Sequence, residues 1–138
     1  FREVARVTAA GGLYISQHKT PQSLQAEQRP SSGPGYQLAE PYYRTGPLSP
    51  VVGSRLREEG TLEFLHRWEE LVGGICRAGF VIEDLLEPLH AKPDAPRGEF
   101  GHRASFIAPY VRIKARRRGD AGSSNADGPT KPRVWMPE

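Results

Sequence analysis

The sequence predicts an α/β fold, and three observations carry that expectation. A helical pattern ends at Gly79 and turns at once into the apolar run 80–85; another ends at Gly11-Gly12 and turns into residues 13–16; and residues 110–116 alternate apolar with polar side chains. Helix feeding strand twice, followed by a strand with one apolar face, describes a sheet with helices packed against it.

The first element is a helix over about residues 1–10. Phe1, Val4, Ala5 and Thr8 share a helical spacing, and Gly11-Gly12 close it, because glycine takes the left-handed conformation at a helix end without steric cost. No capping residue precedes that turn and no methionine begins the chain, so the sequence reads as a fragment. Residues 13–16 then form a short strand. From 18 to 60, Pro21, Pro30, Pro34, Pro41, Pro47 and Pro50, interleaved with Gly33, Gly35, Gly46 and Gly53, exclude any long regular element. Loops beyond about 12–15 residues are unusual in compact domains and are commonly lids or binding loops. This one is a candidate substrate lid.

Thr61 is placed to cap a helix expected over 61–78, with Glu63 in the favourable first turn. At about 100° per residue, Phe64, Leu65, Trp68, Leu71, Val72, Ile75 and Cys76 share one arc, and Glu63, His66, Arg67, Glu70 and Arg77 the other. Gly73 and Gly74 inside it cost about 1 kcal/mol each relative to alanine, which implies a bend or a close neighbour. Residues 80–85 form the second strand, ended by Glu87-Pro88. After a Pro- and Gly-rich loop over 88–102, Val111, Ile113 and Ala115 oppose Tyr110, Arg112 and Lys114, a strand expected to be antiparallel or peripheral. Beyond Gly119 there is almost nothing to bury. The organisation is therefore a folded part over 1–116 and a disordered tail over 117–138.

Composition narrows the function classes. With 138 residues the chain is one domain or part of one, and a hydrophobic fraction of 37% with 15 Gly and 13 Pro makes much of it loop. Cys76, the single cysteine, excludes a disulfide and a cysteine metal cluster, fits a reducing, cytoplasmic setting, and is expected as a buried core thiol. His90 and His102 lack the paired spacing of a metal site. No apolar run approaches the roughly 20 residues of a membrane span. The net charge of +3 is concentrated at Lys114, Arg116, Arg117 and Arg118 without interleaved aromatics, which suits a solvated strand end better than a nucleic-acid platform.

The junctions Ala10-Gly11-Gly12, Ala78-Gly79-Phe80 and Glu87-Pro88, with the alternating last strand, resemble the C-terminal half of a class I S-adenosylmethionine-dependent methyltransferase over about residues 1–116. The resemblance implies half of a Rossmann-like, seven-stranded fold whose last strand is antiparallel. It implies methyl transfer from S-adenosylmethionine to a small-molecule acceptor, with this chain as the substrate-side half and inactive alone. That family holds its cofactor with a Gly-rich turn after the first strand and an acidic residue after the second. Neither is present, since Gly33-Pro34-Gly35 follows no strand and precedes no helix, so the cofactor is expected to rest mainly on the absent N-terminal half.

The segment after the strand at 13–16 commonly folds over the acceptor in that family, which makes Tyr42, Tyr43 and Arg44 candidate substrate contacts; two phenols beside a guanidinium suit a planar or anionic acceptor. His18, where strand carboxyl ends meet the ligand crevice, is the candidate base for an acceptor proton. His66 is a further candidate contact if the long loop covers it. Two other readings stay open: a non-catalytic interaction module using the 61–78 helix and the basic end at 114–118, and half of another doubly wound nucleotide-cofactor enzyme.

Overall fold

A computed structural model describes residues 1–54 and 57–119. Its strands are β1 (Leu13–Lys19), β2 (Phe80–Leu86) and β3 (Tyr110–Arg117), and its helices α1 (Arg2–Val7), α2 (Pro21–Gln25), α3 (π-helical Glu69–Gly73 continuing as α-helical Gly74–Arg77) and α4 (Phe100–Arg103). The strands form one antiparallel sheet in the order β1-β3-β2, so the last strand runs reversed between two strands that are parallel to each other. Its alternation is as the sequence dictates. Val111, Ile113 and Ala115 are fully buried, while Arg112 and Arg116 are exposed.

Helices cover the inward face. Ala5 of α1 and Ile75 of α3 join Phe80, Val111, Ile113 and Ala115 in one core cluster, with Tyr14 and Trp68 packed on it. Burying each large side chain there stabilises by roughly 1.5–3 kcal/mol. α1 ends where the Thr8 hydroxyl donates to the Val4 carbonyl at 2.6 Å. The turn into β1 uses a φ of 75° at Gly11, and the Gly11 N–H donates to Arg117 while the Arg117 N–H donates to Gly12, fastening this turn to the end of β3. The outward face is less covered: Leu13 is 47% and Ile15 69% exposed, and β1 has no second neighbour among the described strands.

The helix expected over 61–78 is shorter. Residues 61–67 are not helical because tertiary contacts hold them out of the helix, overriding local preference. Phe64 bridges to Pro47, the Glu63 carbonyl accepts from the Leu48 N–H at 2.7 Å, and the Glu63 carboxylate pairs with Lys19 and Arg57. The Thr61 hydroxyl donates to the Glu58 carbonyl instead of capping a helix. α3 begins only where the Glu70 carboxylate accepts from the Arg67 N–H at 2.8 Å, the return half of a capping box. His66 therefore precedes the helix, exposed, rather than lying on its polar arc.

The π-helical winding changes hydrogen bonding from i+4 to i+5, so the 3.6-residue arc fails beyond Gly73. Leu71 and Ile75 are buried, but Cys76 is exposed and is not a core thiol. Gly73 and Gly74 answer both halves of their expectation. The π-to-α change falls between them, and a Cβ on Gly74 would stand 2.8 Å from the Phe1 ring.

Other boundaries also move. β1 continues to Lys19, which puts His18 in a strand rather than a loop. α2 follows directly, because the Thr20 hydroxyl accepts from the Ser23 N–H at 3.1 Å and Pro21 sits at its first position. A second apolar cluster of Leu24, Leu48 and Leu65 ties down much of the segment expected as one long loop. Arg117, expected in the tail, closes β3. The basic strand end is tied to the fold and not simply solvated: Lys114 and Arg116 both pair with Glu83, and the Arg117 side chain donates to the Ala5 carbonyl. The rest of the expected disordered tail, residues 120–138, lies outside the described residues. No helix among the described residues is long and apolar enough to cross a membrane.

Candidate functional site

His18 lies half-buried on the inward face of β1, its Nε2 2.9 Å from the Ser16 hydroxyl and the Phe1 ring edge-on at 6.2 Å. Burial lowers its pKa, and the nearby His66 lowers it further, so the imidazole is held neutral at pH 7. Beside His66, the Arg67 guanidinium sits 5.1 Å from the centre of the Tyr43 ring, and Tyr43 meets Tyr42 edge-on at 5.3 Å. His18 thus lies within electrostatic reach of His66, and Arg67, Tyr43 and Tyr42 form a contiguous group of their own. Tyr42 is anchored on the Leu24, Leu48 and Leu65 cluster, whereas Tyr43 is 74% exposed. Arg44 does not join them. Its Nη1 pairs with Glu40 and its Nε donates to the Pro47 carbonyl, both at 2.7 Å, so it braces the turn that carries the tyrosines.

A cleft of ≈ 180 Å³ opens where β1 ends at Lys19 and β3 begins at Tyr110, with Arg57, Phe100 and Arg103 also in its walls. Lys19 and Arg57 each take one oxygen of the Glu63 carboxylate. Burial pushes that carboxyl up, but the hydrogen bonds from Lys19 and Arg57 prevail and hold its pKa below the usual value. Arg103 is only 3% exposed. Its Nη2 donates to the Ser23 and Ala26 carbonyls at 2.8 and 3.1 Å, its Nε to the Glu27 carbonyl at 3.0 Å and its Nη1 to the Ser23 hydroxyl at 3.0 Å. A cation at those carbonyls complements the C-terminal dipole of α2. Behind the cleft, the His90 ring packs edge-on against Phe100 and Tyr110, 5.5 Å from each, with its Nε2 buried and unpartnered.

Lys19, Arg57 and Arg103 were not candidates from sequence, because they come from three separate stretches with no common spacing. One signal is present in the sequence: Lys19 follows closely on a strand, at the carboxyl end where ligand crevices form.

The described residues do not build a cradle for S-adenosylmethionine. Such a cradle needs a glycine-rich turn from the carboxyl end of a strand into a helix, and β1 runs through Thr20-Pro21 into α2 while β2 runs into Glu87-Pro88. The left-handed glycines Gly11 and Gly79 lie at the opposite junctions, where helices end and strands begin.

Two solved structures share this architecture. One, from Listeria monocytogenes and provisionally assigned as an S-adenosylmethionine dependent methyltransferase, superposes with a TM-score of 0.62 at 16% identity over 86% of this chain. The other, an S-adenosylmethionine dependent methyltransferase from Mesorhizobium loti, gives 0.60 at 17% identity over 84%. The α/β fold of this chain resembles theirs. The chain covers 53% of each of those chains, about half their length, which is consistent with a C-terminal-half portion. No protein-family model matches the sequence, and no curated protein matches it. At these identities the likeness establishes the α/β fold.

Proposed function

We propose that this chain is the acceptor-side portion of an S-adenosylmethionine-dependent methyltransferase acting on small molecules. The observation that carries this reading is the fold shared with the two structures described above, one an S-adenosylmethionine dependent methyltransferase and the other provisionally assigned as one, over more than four-fifths of the chain. The cofactor is held by a portion of the protein outside the described residues, and no step here runs through it. What these residues do is receive and orient the acceptor. His18, held neutral, takes the proton that an acceptor hydroxyl or amine must lose. Tyr42 and Tyr43 offer phenol rings to a planar acceptor, with the Arg67 guanidinium, itself paired with Glu69 and Glu70, lying over the Tyr43 ring, and the part of the 18–60 segment beyond α2 that carries the two tyrosines serves as the lid that excludes water. Placing the acceptor is the larger part of such catalysis.

The test uses the reading frame extended upstream of Phe1. S-adenosylhomocysteine release is measured with S-adenosylmethionine alone and with an added small-molecule extract. Extract-dependent release is expected, falling about 100-fold in His18→Gln with cofactor affinity unchanged. Release independent of the extract, or a parallel loss of cofactor affinity in His18→Gln, would count against the reading.

A further inference from the structure

A second cavity, of ≈ 490 Å³, opens beside the carboxyl ends of β1 and β2. Thr20 directly follows β1, Glu87 directly follows β2, and Ala108 comes just before β3. This is the end of an open α/β sheet at which ligand crevices form, and the volume lies in the range of small-molecule pockets. The rings of Tyr36, Trp68 and Phe106 line it, and Glu87 is the single charged side chain in its walls among the described residues. No cation pairs with that carboxylate among the described residues.

The rings are fixed by partners of their own. The Tyr36 hydroxyl and His102 Nδ1 hydrogen-bond at 2.9 Å, the Tyr36 and Phe106 rings pack at 5.8 Å, and Trp68 rests on the core cluster. The Arg103 guanidinium lies 5.8 Å from the centre of the Tyr36 ring, but it is committed to the carbonyls of Ser23, Ala26 and Glu27. Phe106 and Leu38 stand 52% and 62% exposed in the walls, apolar area that the body of a ligand would remove from water. The negative face of a ring and a carboxylate both attract a cation, and the walls offer no positive side chain to an acid group.

We infer that this cavity binds an organic ammonium ion with an apolar or aromatic body, its charge directed to Glu87 and its body to the rings of Tyr36, Trp68 and Phe106. Calling that amine the methyl acceptor rests on the function proposed above; its binding does not.

The experiment is a titration of the 138-residue chain, without cofactor, followed by backbone amide shifts. The probes are benzylamine, which is protonated at neutral pH, its neutral analogue benzyl alcohol, and the anion benzoate. Benzylamine is expected to move the amides of Glu87 and Phe106 and to bind at least about fivefold tighter than benzyl alcohol, as a charge-assisted contact requires. Benzoate is expected to bind most weakly of the three. Glu87→Gln should weaken benzylamine about fivefold and leave benzyl alcohol unchanged, whereas damage to the fold would weaken both alike. Phe106→Leu, which keeps apolar area but removes the ring face, should weaken benzylamine about threefold. Equal affinity for benzylamine and benzyl alcohol, benzoate binding as tightly as benzylamine, shifts confined to other amides, or benzylamine affinity unchanged in either variant would each overturn the inference, as would an equal loss of both probes in Glu87→Gln. Because S-adenosylmethionine is absent from the titration, these outcomes are independent of whether the protein transfers methyl groups.

Discussion

Replacing Gly79 with alanine isolates the cost of the turn that converts α3 into β2. Gly79 has a φ of 89°, and a Cβ there would meet no heavy atom within 4 Å. The penalty is therefore one of backbone conformation alone, about 1–2 kcal/mol for an L-residue in the left-handed region. Gly46 provides the control. It too has open space around a would-be Cβ, but its φ lies outside the left-handed region, so Gly46→Ala should be neutral or stabilising by about 0.4–1 kcal/mol through the unfolded chain. With a urea slope of about 1–3 kcal/mol/M, the two variants should separate in unfolding midpoint by on the order of 1 M. Urea titration by far-UV circular dichroism reads that directly. Equal midpoints for the two variants, or a higher midpoint for Gly79→Ala than for the parent, would refute the assignment of Gly79 as an obligatory left-handed junction.

Phe80, 1% exposed at the centre of the core cluster, should lose about 3–5 kcal/mol on replacement by alanine, seen as a collapse of the cooperative urea transition; a change under about 1 kcal/mol would mean the cluster is not the folding core. Glu63 gives a pH signature. Its folded pKa lies below the value of 4.5 expected for a free carboxyl, so its stabilisation is complete above about pH 4.5 and fades as pH falls through the folded value. The stability difference between the parent and Glu63→Gln should accordingly be constant near neutrality and shrink in acid; a difference that grows in acid would reverse the sign.

The fold was legible wherever one residue sufficed to state a rule. Val111, Ile113 and Ala115 announce a strand with one buried face, and Gly11 and Gly79 announce helix ends, because period and left-handed geometry are local properties. Residues 61–67 were not legible, since Glu63 is drawn out of a helix by Lys19 and Arg57, partners 44 and 6 residues away. The exposure of Cys76 was hidden by a π-helical turn that no periodicity reveals. At the site, the order of the chain foretold that Tyr42 and Tyr43 would stand together, but Arg44 is absorbed by Glu40 and Pro47, and the cleft cations meet only in the folded chain.

The central claim, that the described residues form the acceptor side of a methyltransferase and leave the cofactor to another portion, is tested most directly by calorimetric titration with S-adenosylmethionine. The 138-residue chain should give no measurable binding, and the reading frame extended upstream should bind. Micromolar affinity in the 138-residue chain alone would contradict that division.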